Sequence, residues 1–197
     1  MIIGVDMDGV LLDDDTYRLD HITKYCFENN LQGMDNPYKY ENKCNWSKEI
    51  LEDYRKKYFF DYIKNAPVRK YASEIIRKLH DEGNKIIIIT GRHKTREQSP
   101  IGDQMREDTV NWLNKNDIVY DEICFACSPK VQEVKENSID VMIDDSPDVI
   151  EAVTKITNVL CFDNRYNRDL EYENMTRVFS WYDIYMKLRE MKKSIEI

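Results

Sequence analysis

Ile2-Ile3-Gly4-Val5-Asp6-Met7-Asp8-Gly9-Val10-Leu11 is the stretch on which the reading of this 197-residue chain turns. It is an apolar strand that opens onto two carboxylates one residue apart and then a glycine. Side chains alternate between the two faces of a strand, so Asp6 and Asp8 at its end are aimed the same way. Like charges held side by side disfavour joint ionisation unless a cation sits between them. Gly9 lets the backbone leave the strand through dihedrals closed to other residues. Taken alone, the stretch also reads as an acidic strand-to-loop turn.

Three later features decide between those readings. Lys85-Ile86-Ile87-Ile88-Ile89 is a second buried strand, ending at Thr90-Gly91-Arg92. Ser128-Pro129-Lys130 opens a short helix, and Asp140-Val141-Met142-Ile143-Asp144-Asp145-Ser146-Pro147 is another apolar strand ending in adjacent carboxylates. In an open parallel sheet, ligands bind beyond the carboxyl ends of the strands. Hydroxyl, lysine and acids are thus delivered to one edge of one sheet.

In these motifs the chain resembles the haloacid dehalogenase-like (HAD) phosphatase superfamily. Asp6-Met7-Asp8-Gly9-Val10 matches the first motif, Thr90 the second, Lys130 the third and Asp144-Asp145 the fourth, over a resemblance running from Met1 to about Trp181. The Ile-Asp-Val-Met-Ile-Asp-Asp-Ser text, the placing of Lys130 before it, and the segment Trp112 to Asp121 are similar to the 5'(3')-deoxyribonucleotidase family of nucleotidases. The resemblance implies a three-layer Rossmann-like α/β fold with a mostly parallel sheet and a small helical cap inserted after the first strand.

Alternation of strands and helices supports the same class directly. Strands are expected near Ile2 to Met7, Ile86 to Thr90, Glu122 to Phe125, Val141 to Ile143 and Asn158 to Phe162. Helical spacing of apolar residues places helices at Ala72–Leu79, at Val149–Ile156 behind a Ser146 cap and Pro147, and from Trp181 to Met191. A polar insertion from Thr95 to Gly102 reads as a mobile loop. Between Asp13 and about Asn65 the alternation breaks into two helices, around Tyr17 to Asn29 and Ser47 to Ile63, about turn chemistry at Gly33 to Pro37. Residues 1–15 and 66–197 then form the catalytic core and 16–65 the cap insert. Most insert aromatics are expected to build the insert's own small core. Trp46 and Tyr40, between its helices, are the candidates to stack on a base.

Composition bounds the rest. The net charge of −8, from 29 Lys+Arg against 37 Asp+Glu, argues against a polymeric nucleic-acid partner. No apolar stretch approaches membrane-spanning length. No secretory leader is expected, since the reading opens on a strand without a basic lead or cleavage site. Five scattered cysteines read as structural thiols in a reducing cytoplasm, although Cys124 and Cys127 have metal-like spacing without a second pair.

Convergence of Asp6, Asp8, Asp144 and Asp145 would be costly without a cation. Two unit charges ~4 Å apart repel by about 4 kcal/mol at an effective dielectric near 20. A hard, oxygen-seeking ion such as magnesium (Mg²⁺) relieves this, and it commonly binds through one or two carboxylates plus substrate phosphate. The resemblance implies metal ligation by Asp6, the Asp8 backbone carbonyl and Asp145, with Asp144 behind them. It further implies that Asp6 is the nucleophile forming an aspartyl-phosphate and Asp8 the general acid, then base. Thr90, Gly91 and Lys130 would bind phosphate. Arg92 reads either as a further phosphate contact or as a surface charge on a loop. The expected activity is hydrolysis of a small phosphomonoester, in first place a nucleotide. Sugar phosphates or a nucleic-acid 3'-phosphate end remain the rivals, and a receiver-like phospho-acceptor module a remote one. No P-loop motif is present.

Overall fold

The computed structural model describes residues 1–33 and 46–195. Six strands form one sheet: β1 (Ile2–Val5), β2 (Lys85–Thr90), β3 (Glu122–Phe125), β4 (Val141–Asp144), β5 (Asn158–Phe162) and β6 (Met175–Val178). All neighbours are parallel, in the order β3-β2-β1-β4-β5-β6. The helices are α1 (Asp14–Glu28), α2 (Lys48–Asn65), α3 (Ala72–Asp81), α4 (Pro100–Lys115), α5 (Val131–Glu136), α6 (Pro147–Val153) and α7 (Trp181–Ile195).

Both faces of the sheet are covered at its centre, which is why β1, β2, β4 and β5 are apolar without alternation. Ile86 and Ile88 of β2 join one core with Ile75, Ile76, Trp112, Trp181 and Leu188. Ile87 and Ile89, one residue out of phase, join the other with Val134, Val149, Ile150 and Val153. The chain runs outward from β1 through β2 to β3, then returns to place β4 on the other flank of β1. Strand order therefore reverses between β1 and β4, and a crevice opens at their carboxyl ends.

The five expected strands are present, β1 ending at Val5 rather than Met7. Ser146 and Pro147 stand at the cap and first position of α6, but the Ser146 side chain makes no capping hydrogen bond. Gly102 does not end a loop: it lies in the first turn of α4, with Ser99 capping the helix through its hydroxyl. A Cβ at Gly102 would fall 2.1 Å from the Glu97 carbonyl oxygen, so helix and preceding segment close on each other there. β6 was not expected, because Met-Thr-Arg-Val is too short and polar to stand out at a sheet edge.

α1 and α2 occupy the segment after β1, where the alternation breaks. The chain leaves for them and returns beside itself: Leu12 bridges Val68 antiparallel, Asp13 N donates to Pro67 O at 2.8 Å and Arg69 N to Leu11 O at 2.7 Å. Trp112 of α4 fixes the return, its indole N–H donating to Ala66 O at 2.8 Å.

Candidate active site

The register sets Val5 of β1 against Ile143 of β4, so Asp6 and Asp144 leave adjacent strands at the same height. Met7 points the other way, into the core, and its carbonyl accepts from the amides of Val10, Leu11 and Leu12 in the turn that follows. Gly9 has φ +84°, and a Cβ on it would lie 1.8 Å from Asp145 Oδ2. Backbone conformation and the approach of Asp145 therefore both require glycine at this turn.

One carboxylate oxygen from each of Asp6, Asp144 and Asp145 lies within 4.8 Å of the others, and all three residues are buried. Lys130, also buried, stands at the start of α5 with φ 62°. Its ammonium donates to Asp6 Oδ1 at 2.5 Å and to Asp144 Oδ2 at 2.8 Å. Asp144 Oδ1 accepts from the Ser146 amide at 2.9 Å, so both Asp144 oxygens have donors from the protein.

One lysine does not neutralise three buried acids. Burial raises the Asp6 carboxyl to about 7; Lys130 opposes the rise, and Asp144 and Asp8 add to it. Burial, then the charges of Asp6 and Asp144, push Asp145 well above the usual carboxylate range. Burial works against the charge of Lys130, but Asp144 and Asp6 hold its ammonium above the ordinary value. A compact all-oxygen donor set short of positive charge fits a hard divalent cation.

Thr90 ends β2 fully buried, and its hydroxyl has no hydrogen-bond partner among the described residues. A buried hydroxyl costs free energy unless something bonds to it. Gly91 is exposed beside it, and the nearest atom to a Cβ placed there would be Lys130 Cε at 3.9 Å. Gly91, next to Thr90, thus comes close to Lys130, which itself reaches the acid cluster, an arrangement that suits a phosphate.

Asp8 is separate from that cluster. Arg92 grips it from both sides, Nε donating to Oδ2 at 3.0 Å and Nη2 to Oδ1 at 3.1 Å. Tyr62 of α2 adds its hydroxyl to Oδ1. Burial alone would raise the Asp8 carboxyl, but the Arg92 ion pair and hydrogen bonds, with the one from Tyr62, hold it below the usual range. Arg92 is therefore not a surface charge: it is buried, and its remaining nitrogen Nη1 faces Thr109 Oγ1 at 3.4 Å. The sequence could not anticipate this, because a loop arginine looks alike whether it faces solvent or folds back.

Sequence reasoning also missed the groups that hold the acids. Asp145 accepts from the Tyr166 hydroxyl and from Asn164 Nδ2 at 3.3 Å. Asn167, fully buried, donates to the Asp145 carbonyl at 2.8 Å and the Phe162 carbonyl at 2.9 Å. Tyr62 lies 54 positions from Asp8 in sequence, and Tyr166 lies 21 from Asp145, with no motif joining either pair.

Trp46 packs within the insert, its ring tilted and 5.3 Å from both Tyr25 and Tyr54, and Tyr40 lies outside the described residues. Phe59 of α2 meets His93, just beyond Arg92, at 6.2 Å. Cys124 and Cys127 join no group of three or more metal-type ligands among the described residues. No helix among those residues is long and apolar enough to cross a membrane.

A family model described as "5' nucleotidase, deoxy (Pyrimidine), cytosolic type C protein" matches residues 1–193. A Chlorobaculum tepidum protein described as "Putative 5'(3')-deoxyribonucleotidase" is 31% identical, over 94% of this chain and 88% of its own length. A nucleotidase of Clostridium acetobutylicum is 26% identical over 93% of this chain and 91% of its own. Among solved structures, a HAD-family hydrolase from Deinococcus radiodurans, with bound phosphate and sodium, superposes with a TM-score of 0.66 at 12% identity, covering 96% of this chain and 95% of that one. A HAD-like hydrolase from Streptococcus pneumoniae gives 0.60 at 14% identity, covering 95% and 97%. At such identities the likeness is one of fold.

Proposed function

We propose a specific hydrolytic chemistry from the premise that this chain belongs to the 5' nucleotidase, deoxy (pyrimidine), cytosolic type C family, on a HAD-like α/β fold. It is a phosphomonoester hydrolase. The finer reading is Mg²⁺-dependent hydrolysis of a nucleoside monophosphate or deoxynucleoside monophosphate through an aspartyl-phosphate on Asp6. The observation that carries it is the buried Asp6-Asp144-Asp145 cluster, closed on one side by Lys130 and short of positive charge.

Asp6, Asp145 and the Asp8 backbone carbonyl would hold the ion. Asp144 would stand behind them, since its oxygens already have Lys130 and Ser146 as donors. When bound, the ion would neutralise the acids and draw a phosphate oxygen towards Asp6. The Thr90 hydroxyl, the amide after it and the Lys130 ammonium would hold the remaining phosphate oxygens in line for attack. Phosphoryl transfer asks mainly for such positioning and charge neutralisation. An Asp6 carboxylate oxygen would bond to phosphorus as the ester oxygen departs, taking a proton from Asp8, which must first bind that proton from solvent against the pull of Arg92 and Tyr62. Asp8 would then take a proton from the water that cleaves the acyl-phosphate. The helical pair α1 and α2 would act as the cap, enclosing the leaving nucleoside.

A panel of nucleoside monophosphates, sugar phosphates and aryl phosphates tests this on EDTA-treated protein with and without restored Mg²⁺. The expected result is turnover only with Mg²⁺ and highest kcat/KM on a nucleotide. Full activity after chelation overturns the metal dependence. Preference for a sugar phosphate moves the substrate to the non-nucleotide class.

A further inference from the structure

We propose that Tyr62 is a positioning residue that makes the acid–base carboxyl of Asp8 depend on the docking of α2. The inference rests on the reading of Asp8 as the acid that protonates the leaving group. Arg92 belongs to the core and Tyr62 to the helical insert, yet both donate to Asp8 Oδ1. Arg92 Nε holds Oδ2 as well, so two elements fix the carboxylate from different sides.

The Asp8 side chain keeps 31% of its exposure, so it remains reachable from the crevice while held. Tyr62 is itself braced. Its ring packs edge-on against Tyr17 of α1 at 5.2 Å, and the Arg92 guanidinium carbon lies 5.9 Å from its centroid. Tyr17 in turn donates its hydroxyl to Asp61 Oδ2 at 2.5 Å, beside Tyr62 in α2. The hydroxyl of Tyr62 therefore arrives at Asp8 at the end of a packed pair of insert helices, and swinging α2 away would withdraw it.

The consequence is a coupling between enclosure and chemistry. With α2 docked, Asp8 is held by three donors in one orientation towards the leaving oxygen. With α2 displaced, only Arg92 remains, and one carboxylate oxygen loses a donor. A proton-transferring group contributes rate only when its geometry is right. Tyr62 moves no proton itself; it fixes the carboxyl that does.

Leaving-group dependence distinguishes this role from general support of the fold. Phenyl phosphate expels a basic oxygen that needs a proton, whereas 4-nitrophenyl phosphate expels one that scarcely does. The values of kcat/KM for both esters are measured with Mg²⁺ in wild type and in Tyr62→Phe, which keeps the ring and removes the hydroxyl. The expected loss is about tenfold greater on phenyl phosphate, a part of the roughly 10²–10⁴-fold that an acid–base group contributes, since Arg92 still holds Asp8. Tyr62→Leu, which also removes the ring, should show the same discrimination on top of a lower Tm. Equal losses on both esters, or no loss, in a series where wild type is active overturn the role of Tyr62 alone. A wild type inert on both esters and on nucleotides instead removes the phosphatase reading, and the proposal falls with it.

Discussion

Asp6 is held where an ordinary carboxylate would be uncomfortable, and that discomfort is measurable. Burial lifts it from 3.8 to about 7, while unfolding returns it to the lower value. Between those limits the native state binds the extra proton, so without metal this group lowers stability progressively as pH rises from about 4 to 7. In chelator-treated protein, Asp6→Asn should flatten that part of the pH dependence of Tm relative to wild type, while abolishing turnover. Parallel Tm-pH curves for the two proteins would show that Asp6 carries no such burden. Asp6, Asp8, Thr90, Lys130 and Asp144-Asp145 were legible because each stands at a strand end or helix start, a position that local pattern reveals. Tyr62, Asn164 and Tyr166 were not, since their role comes from contacts that only the folded chain creates. Nor was the partner of Arg92, which lies beside the site with its guanidinium on Asp8.

Among the elements, legibility followed burial. β1, β2, β4 and β5 are apolar runs covered on both faces, and such runs announce themselves. β6 does not, because its Arg177 is turned back to bind the carbonyls of Asn167 and Leu170 at 2.8 and 3.1 Å. α4 was not placed from the sequence, and Gly102 in its first turn resembles a loop terminus. Its real constraint is steric, and this reverses an ordinary expectation. Replacing a helical glycine by alanine usually stabilises by roughly 1 kcal/mol. At Gly102 the new Cβ would meet the Glu97 carbonyl oxygen at 2.1 Å and the Lys94 carbonyl oxygen at 3.0 Å. Both are backbone atoms, which cannot step aside as a flexible side chain could. Gly102→Ala is therefore expected to lower Tm, and an increase would show that residues 94–99 yield easily.

At the scale of the whole molecule, two of the ties between the insert and the core have different consequences. One is the paired crossing of Leu11–Asp13 with Pro67–Arg69, which joins it mechanically. The other is the face of α2 that brings Phe59 to His93 and Tyr62 to Asp8, which joins it to the site. Trp46 belongs to neither, being packed on Tyr25 and Tyr54 inside the insert. The two kinds of aromatic should separate in kinetics. Trp46→Ala should lower Tm and leave the ratio of kcat/KM between a nucleotide and 4-nitrophenyl phosphate unchanged, because the ring it removes packs on the insert rings Tyr25 and Tyr54. Phe59→Ala should lower that ratio about tenfold, as expected if a base stacks on or beside this ring, an interaction worth about 1–3 kcal/mol. The ratio is the informative quantity, since remote binding energy can appear in kcat as well as KM. If Trp46→Ala shifts the ratio and Phe59→Ala does not, the leaving group lies deeper between α1 and α2 than the α2–His93 contact suggests.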